Sequence, residues 1–284
     1  MTTLKINTPK GEIEYSTIWQ GKVILIIHGG HVNCKERIFQ KGLDAKRFCF
    51  ITPSRPGYGQ TPLTKFNKTP GGTADLFISL LDALKIPEVI VMGISAGGLT
   101  ALEIAARHPN RVSKLVLMSA LTKKWFAETD KLYKGGRKAF APGVEKYTWL
   151  LYRLSFLLIP SAMAKLMFKQ VSTYRPIEFT DNEIKELKHL TMNMRSGQGF
   201  RNDLDQNIEQ GILSEIKCPT LILHSENDKA VDLSHPNNAR CNISNAKLVA
   251  FKNRWGHLLW IGEDYILILS ELKKHIESYI NDDN

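Results

Sequence analysis

The sequence predicts an α/β protein: a mostly parallel sheet, helices on both faces, and a helical insertion before the penultimate strands. Short apolar runs at residues 22–27, 88–92 and 219–224 are hydrophobic on both faces, as strands buried from two sides must be. Amphipathic helical stripes separate them, the alternation expected of parallel strands joined by crossovers. From about residue 121 to 205 the alternation stops and only helical patterns remain.

Residues 4–6 and 12–19 read as two strands joined around Pro9-Lys10-Gly11. The strand at 22–27 ends at His28-Gly29-Gly30, and the next, at 48–52, runs into the loop Pro53-Ser54-Arg55-Pro56-Gly57-Tyr58-Gly59. Residues 73–84 form a helix, with Leu76, Phe77, Leu80, Leu81 and Leu84 on one stripe. A strand at 88–92, a Gly-x-Ser-x-Gly turn around Ser95, a helix at 99–107 and a strand at 114–118 follow. Helical patterns at 147–168 and 181–194 dominate the insertion. The sheet resumes at 219–224 and 247–251, and a helix at 263–279 closes the chain. These readings divide the chain into a core (1–120 and 206–284) and a helical cap or lid (121–205). Within the cap, Trp149, Leu150, Leu151, Leu154, Phe156, Leu157 and Leu158 are expected to pack onto the core, some of them lining an apolar acyl pocket.

Candidate chemistry collects where strands end, the place where doubly wound sheets carry their sites. A serine hydroxyl is a poor nucleophile unless the backbone presents it. The sharp strand-to-helix turn at Ser95 does this, because Gly93 and Gly97 let the chain pack closely there. Asp228 follows the strand at 219–224, and His257 follows the one at 247–251, giving the chain order Ser, Asp, His. His257 suits the general base because an imidazole titrates near neutral pH, and it sits in Trp255-Gly256-His257 on the last loop. Of the other histidines, His28 suits bracing the glycine turn, and His108, His189 and His275 lie on helical faces where they are expected to be solvated. His31, His224 and His235 lie off the last loop. Asp228, with Glu226 and Asp232 as rivals in the same segment, would orient the imidazole. Ala96 and Gly30 are the expected N–H donors of an oxyanion hole.

The chain has 284 residues, 43% hydrophobic and 23% charged, the composition of a folded globular protein. Residues 1–6 lack the basic stretch and apolar run of a secretory signal. The most membrane-like stretch, 154–164, is closed off by Arg153 and Lys165, broken by Pro160 and too short to span a bilayer, so no transmembrane segment is expected. Cys34, Cys49, Cys218 and Cys241 are scattered without a Cys-x-x-Cys pair and read as reduced thiols of a cytoplasmic protein, with no metal site. The net charge is +10; residues 121–205 hold 15 Lys and Arg against nine Asp and Glu. No nucleic-acid module accompanies that charge. It reads as a solvated basic surface or as one facing anionic substrates or a membrane.

Taken together and in order, His28-Gly29-Gly30, Arg55-Pro56-Gly57-Tyr58-Gly59, Gly93-Ile94-Ser95-Ala96-Gly97-Gly98, Asp228-Lys229-Ala230-Val231 and Gly256-His257 resemble the α/β-hydrolase family, in particular its small cap-bearing members. The resemblance implies an α/β-hydrolase fold with an eight-stranded, mostly parallel sheet and a Ser-His-Asp hydrolase without a cofactor. Ser54 stands where an acidic residue is common in the family, and the cap resembles no particular subgroup. The reading that follows is a carboxylesterase-like serine hydrolase acting on a small-molecule ester or related acyl substrate through an acyl-enzyme. The alternatives are cleavage of an amide or of a carbon–carbon bond beside a carbonyl, or a non-catalytic ligand-binding protein that keeps the scaffold. His31 stands where proline-specific aminopeptidases of the family carry proline, and a serine nucleophile argues against dehalogenase or epoxide hydrolase action.

Overall fold

A computed structural model describes residues 3–175, 177–209 and 211–278. An antiparallel hairpin, β1 (Thr3–Thr8) and β2 (Gly11–Ile18), pairs Thr8 with Gly11 across the turn. Next come β3 (Lys22–Ile27), β4 (Phe48–Pro53), β5 (Val89–Ile94), β6 (Val112–Met118), β7 (Thr220–Ser225) and β8 (Ala246–Phe251). They form one eight-stranded sheet in the order β1-β2-β4-β3-β5-β6-β7-β8, antiparallel only at the two pairings of β2. The strand order reverses at β3, which lies between β4 and β5. The crevice beyond the carboxyl ends of β3 and β5 is therefore the place where a site should open.

Both faces of the sheet are buried, as the apolar runs require. Leu25, Ile27, Val91 and Leu117 pack on one side with α1 (Pro70–Ala83) and α2 (Gly97–Arg107). Their neighbours Ile24, Ile26, Met92 and Val116 pack on the other with α9 (Tyr265–Glu277) and with side chains of the inserted helices. Helix α1 begins three residues before the stripe predicted at 73–84. Thr69 caps this helix through the Gly72 N–H at 3.1 Å, and Pro70 occupies its first position, where its missing N–H costs nothing. Tyr279, the last residue of the helix predicted at 263–279, lies outside the described residues.

Between β6 and β7 the described residues form five α-helices: α3 (Lys131–Ala139), α4 (Glu145–Leu158), α5 (Pro160–Val171), α6 (Asp181–Asn193) and α7 (Gly199–Leu204). The predicted helix at 147–168 is thus two. Ile159 leaves helical geometry (φ −135°, ψ 61°) because Pro160 cannot continue the preceding helix, though it starts the next one well. Helices α3 and α8 (Ser234–Asn242) escaped sequence reading because few of their residues are buried and most are polar. The apolar cluster at 149–158 also behaves differently from expectation. Trp149 and Phe156 are buried, whereas Leu150, Leu151, Leu154, Leu157 and Leu158 are exposed, because the helical period puts them off the packed face.

A buried ion pair ties these helices to the sheet. Arg55, in the loop after β4, donates to both oxygens of Asp203 on α7, at 2.6 and 2.8 Å, and Tyr58 donates to Asp203 Oδ2 at 2.5 Å. Burial alone would lower the guanidinium pKa, but the Asp203 carboxylate outweighs it and holds the proton on. The loop is braced at its start by Glu14 on β2, which accepts from the Ser54 hydroxyl and the Gln60 N–H, both at 2.8 Å. The carboxylate that position 54 lacks thus reaches the loop from another strand.

A second contact is aromatic. His31 stacks on Phe200 with ring centroids 3.9 Å apart and also touches Phe140 and Trp149. The Ser196 hydroxyl accepts from Trp149 Nε1 at 2.7 Å and lies 2.6 Å from His31 Nδ1, an arrangement that suits a neutral imidazole. Burial, followed by the Arg55 charge, pushes the His31 pKa down to about 3. His275 is half-buried rather than solvated, and burial lowers it to about 4, as it does His235. His108 is half-buried beside Asp75 at 3.4 Å, while His189 is exposed. The four cysteines are free thiols.

Two outcomes follow from this burial. Asp203→Ala leaves Arg55 charged and unpaired in the interior, and should cost about 3–5 kcal/mol in urea unfolding. A loss within the range of surface substitutions would contradict the role given to the pair. The unfolded chain also binds protons below about pH 6.5 that His31, His235 and His275 refuse when folded. Stability is therefore complete above that pH and falls toward pH 4, by about 1.4 kcal/mol per pH unit for each such imidazole. Burial raises the carboxyl groups of Glu36 and Glu103, which oppose this trend but are fewer. Thermal midpoints should drop between neutral pH and pH 4, and a flat profile would refute the assignment.

Candidate active site

At the end of β5 the chain turns through Ser95, which holds φ at +50°, a left-handed conformation costly for a residue with a side chain. The neighbours make the turn feasible. A β-carbon at position 93 would sit 2.5 Å from the Ala101 β-carbon, and one at 97 would collide with the Ile27 carbonyl, so both positions need glycine. The turn is locked by its own hydrogen bonds. The Ser95 N–H donates to Met118 O at 3.1 Å, and the Ser95 carbonyl accepts from Gly98 and Leu121 at 3.0 and 2.9 Å. Strain at one residue is therefore held by hydrogen bonds from β6 and α2.

The loop after β8 brings His257 to this hydroxyl. His257 Nε2 lies 3.0 Å from Ser95 Oγ, and Nδ1 lies 2.9 Å from Asp228 Oδ2. The other Asp228 oxygen accepts the N–H groups of Ala230 and Val231 at 2.9 and 2.8 Å, which fixes the carboxylate in the loop after β7. The rival carboxylates are engaged elsewhere: Asp232 accepts from the Ser234 N–H at 2.8 Å, and Glu226 faces Lys252 at 4.0 Å. With Nδ1–H donated to Asp228, the imidazole turns its Nε2 lone pair toward the hydroxyl. Such a chain can take the hydroxyl proton while the carboxylate offsets the charge formed on the ring.

Three supports hold this arrangement, and the first two were not legible in the sequence. His224, at the end of β7, lies with Nε2 2.9 Å from the Val231 carbonyl and 3.5 Å from Asp228 Oδ2. Burial lowers its pKa, so at neutral pH it faces Asp228 as an uncharged ring. The second support comes from the end of α5. The Val171 carbonyl accepts from both Lys229 and His257 N–H, at 3.2 and 3.0 Å, and Thr173 N–H donates to Asn227 O at 3.0 Å. Gly256, with φ at +55°, makes room: a β-carbon there would lie 2.5 Å from the Val171 oxygen. One carbonyl of the inserted helices thus anchors both the acid loop and the imidazole loop. No side-chain pattern signals a contact made by backbone atoms.

The third support lies beneath the glycine turn. The Arg55 N–H donates to His28 Nε2 at 2.9 Å, which leaves Nδ1 as the donor to Gly29 O at 2.7 Å. Arg55 also donates through Nη2 to Gly29 O at 3.1 Å and through Nε to His28 O at 2.8 Å. Because a peptide is planar and trans, fixing the Gly29 carbonyl directs the Gly30 N–H the opposite way across the C–N bond, away from Arg55. The turn runs against Ser95, since a β-carbon at position 29 would sit 3.0 Å from the Ser95 β-carbon. Ala96 precedes α2, so its N–H is among those with no acceptor within the helix. His28 braces the turn, in agreement with its position. Among the described residues, no group of His, Cys, Asp and Glu side chains is arranged to hold a metal ion.

Residues 22–263 match the model of the alpha/beta hydrolase fold family. An uncharacterized hydrolase, YcgS of Bacillus subtilis (strain 168), is 39% identical over 260 residues, covering 89% of this chain and 91% of that protein. A 2-hydroxy-6-oxo-6-phenylhexa-2,4-dienoate hydrolase from Comamonas testosteroni is 26% identical over 261 residues, 86% of this chain and 84% of that one. Among solved structures, a thermophilic esterase from Thermogutta terrifontis superposes with a TM-score of 0.74 at 17% identity, over 98% of this chain and 99% of that chain, a likeness of fold alone. Taken with the eight-stranded sheet and its strand-end turn, these matches lead to one conclusion: the chain is a hydrolase that belongs to the alpha/beta hydrolase fold family.

Proposed function

We propose that the chain is a serine hydrolase that cleaves a carboxylic ester through an acyl-enzyme, with residues 121–205 forming a cap over the site. The observation carrying this reading is the unbroken contact from the Ser95 hydroxyl through His257 to Asp228, with steps of 3.0 and 2.9 Å. Ser95 Oγ attacks the ester carbonyl carbon as His257 Nε2 removes its proton. Negative charge builds on the carbonyl oxygen, to which the N–H groups of Ala96 and Gly30 donate as an oxyanion hole. Collapse of the tetrahedral intermediate breaks the bond to the alcohol, which leaves with the proton held by His257. Water, deprotonated by the same imidazole, then attacks the acyl-enzyme and releases the acid. No cofactor takes part in these steps, and the free thiols suit a cytoplasmic setting.

A second reading has a specific observation behind it. The relative from Comamonas testosteroni is named for hydrolysis of a dienoate, and the same serine, imidazole and oxyanion donors can serve cleavage of a carbon–carbon bond beside a carbonyl. The preference for esters rests on chemistry: an alkoxide leaving group needs only one proton from His257, whereas a carbanion leaving group needs further stabilisation.

Chromogenic esters of graded acyl length test the proposal against a vinylogous diketone substrate. Ester turnover should exceed diketone turnover, and Ser95→Ala should lower kcat/KM by about four to six orders of magnitude. Asp228→Asn should lower it by about four orders, through loss of the imidazole's orientation. Faster diketone cleavage would favour the second reading. Tight ligand binding without turnover in the parent protein would discard both in favour of a ligand-binding protein.

A further inference from the structure

Helices α4 and α5 bury one face and leave the other bare. On α4, Tyr147, Leu150, Leu151, Leu154, Leu157 and Leu158 are exposed, at spacings that form a continuous stripe along one side of a helix. Ile159 in the connecting turn and Leu166 on α5 extend the stripe. Leu151 is 67% exposed and Leu158, near the tip of the hairpin, is 81% exposed. Nine of the 17 exposed large hydrophobic side chains of the described chain lie between residues 144 and 166, so this is a patch and not ordinary scatter.

The exposed charges carried by this hairpin itself have one sign. Between residues 144 and 171 the cations are Lys146, Arg153, Lys165 and Lys169, and the one carboxylate is Glu145. Glu145 is buried and occupied, accepting from the backbone N–H groups of Ser196 and Gly197 and from Arg195. Lys146, Lys165 and Lys169 are exposed, and Lys229 joins them by donating to the Lys169 carbonyl at 2.8 Å. A second copy of the chain docked here about a two-fold axis would bring cations to cations, with no carboxylate of these helices to pair them. An anionic lipid surface complements both features, offering hydrocarbon to the leucines and phosphate to the lysines.

We propose that the α4–α5 hairpin is a membrane-docking surface that lies in the interfacial plane of bilayers rich in anionic lipid. Among the described residues no helix is long and apolar enough to cross a membrane, so attachment is to the surface. The inference is independent of which bond the site cleaves.

Co-sedimentation with vesicles of equimolar phosphatidylcholine and phosphatidylglycerol, set against phosphatidylcholine alone, tests it. The full chain should pellet with the anionic vesicles, much less with the neutral ones, and less as sodium chloride is added. Leu151→Glu with Leu158→Glu should abolish pelleting. Because both side chains are exposed, thermal midpoints without vesicles and turnover of a soluble ester should stay at parent values. Substituting Lys146, Lys165 and Lys169 by Gln should weaken binding about fivefold for each lysine removed. Failure to pellet with anionic vesicles, or pelleting that the leucine substitutions leave unchanged, overturns the proposal. A dimer in sedimentation analysis that Leu158→Glu dissolves, without vesicle binding, overturns it too and gives the face to a second copy.

Discussion

The Arg55 guanidinium is the point at which the parts of this molecule meet. It sits in the loop after β4, grips two successive carbonyls of the turn after β3, and closes on Asp203 from the helices inserted between β6 and β7. A buried cation is tolerated only when its donors are matched, and here each matched donor fixes something else. The His28 and Gly29 carbonyls set the attitude of the glycine turn. Asp203 sets where α7 rests and, through Tyr58, how the rest of the loop folds back. Removing that charge would loosen separate pieces at once.

The site itself is assembled from segments far apart in the chain, each held by backbone atoms. Ser95 is fixed by hydrogen bonds from Gly98 and Leu121, Asp228 by the amides that follow it, and His257 by the Val171 carbonyl. That last contact joins the inserted helices to the imidazole loop, just as Asp203 joins them to the glycine turn. The insertion therefore reaches the site from two sides. Shifts of α5 and α7 would be felt at the imidazole and at the glycine turn respectively.

Much of this was legible in the sequence, and the reasons are physical. Strands buried on both faces produce apolar runs that stand out, and a turn that tolerates only glycine at 93 and 97 leaves a mark at those positions. The order of Ser95, Asp228 and His257 follows from each sitting at a strand end, and the structure brings these three side chains within hydrogen-bonding reach. What stayed hidden involves either backbone atoms or partners distant in sequence. The Val171 carbonyl carries no side-chain signature, and His224 reads like any histidine at the end of a strand. The leucines of α4 were misleading because an apolar run on a helix suggests burial. Only the position of Trp149 and Phe156 on the packed face shows that the others point outward.

The bracing of the loop after β4 has a consequence for how such chains diverge. Glu14 lies on β2 and Ser54 directly follows β4, its antiparallel neighbour, and between them they supply one carboxylate and one hydroxyl to the same spot. The requirement is for a single negative charge at that spot, and it is indifferent to which strand delivers it. Moving the acid from one residue to the other conserves the interaction, while changing either alone leaves two acids in contact or none. These two sites should accordingly exchange identity as a pair among descendants of a common ancestor. The amino-terminal hairpin, remote from the reacting atoms, would then be inherited together with the loop that shapes them.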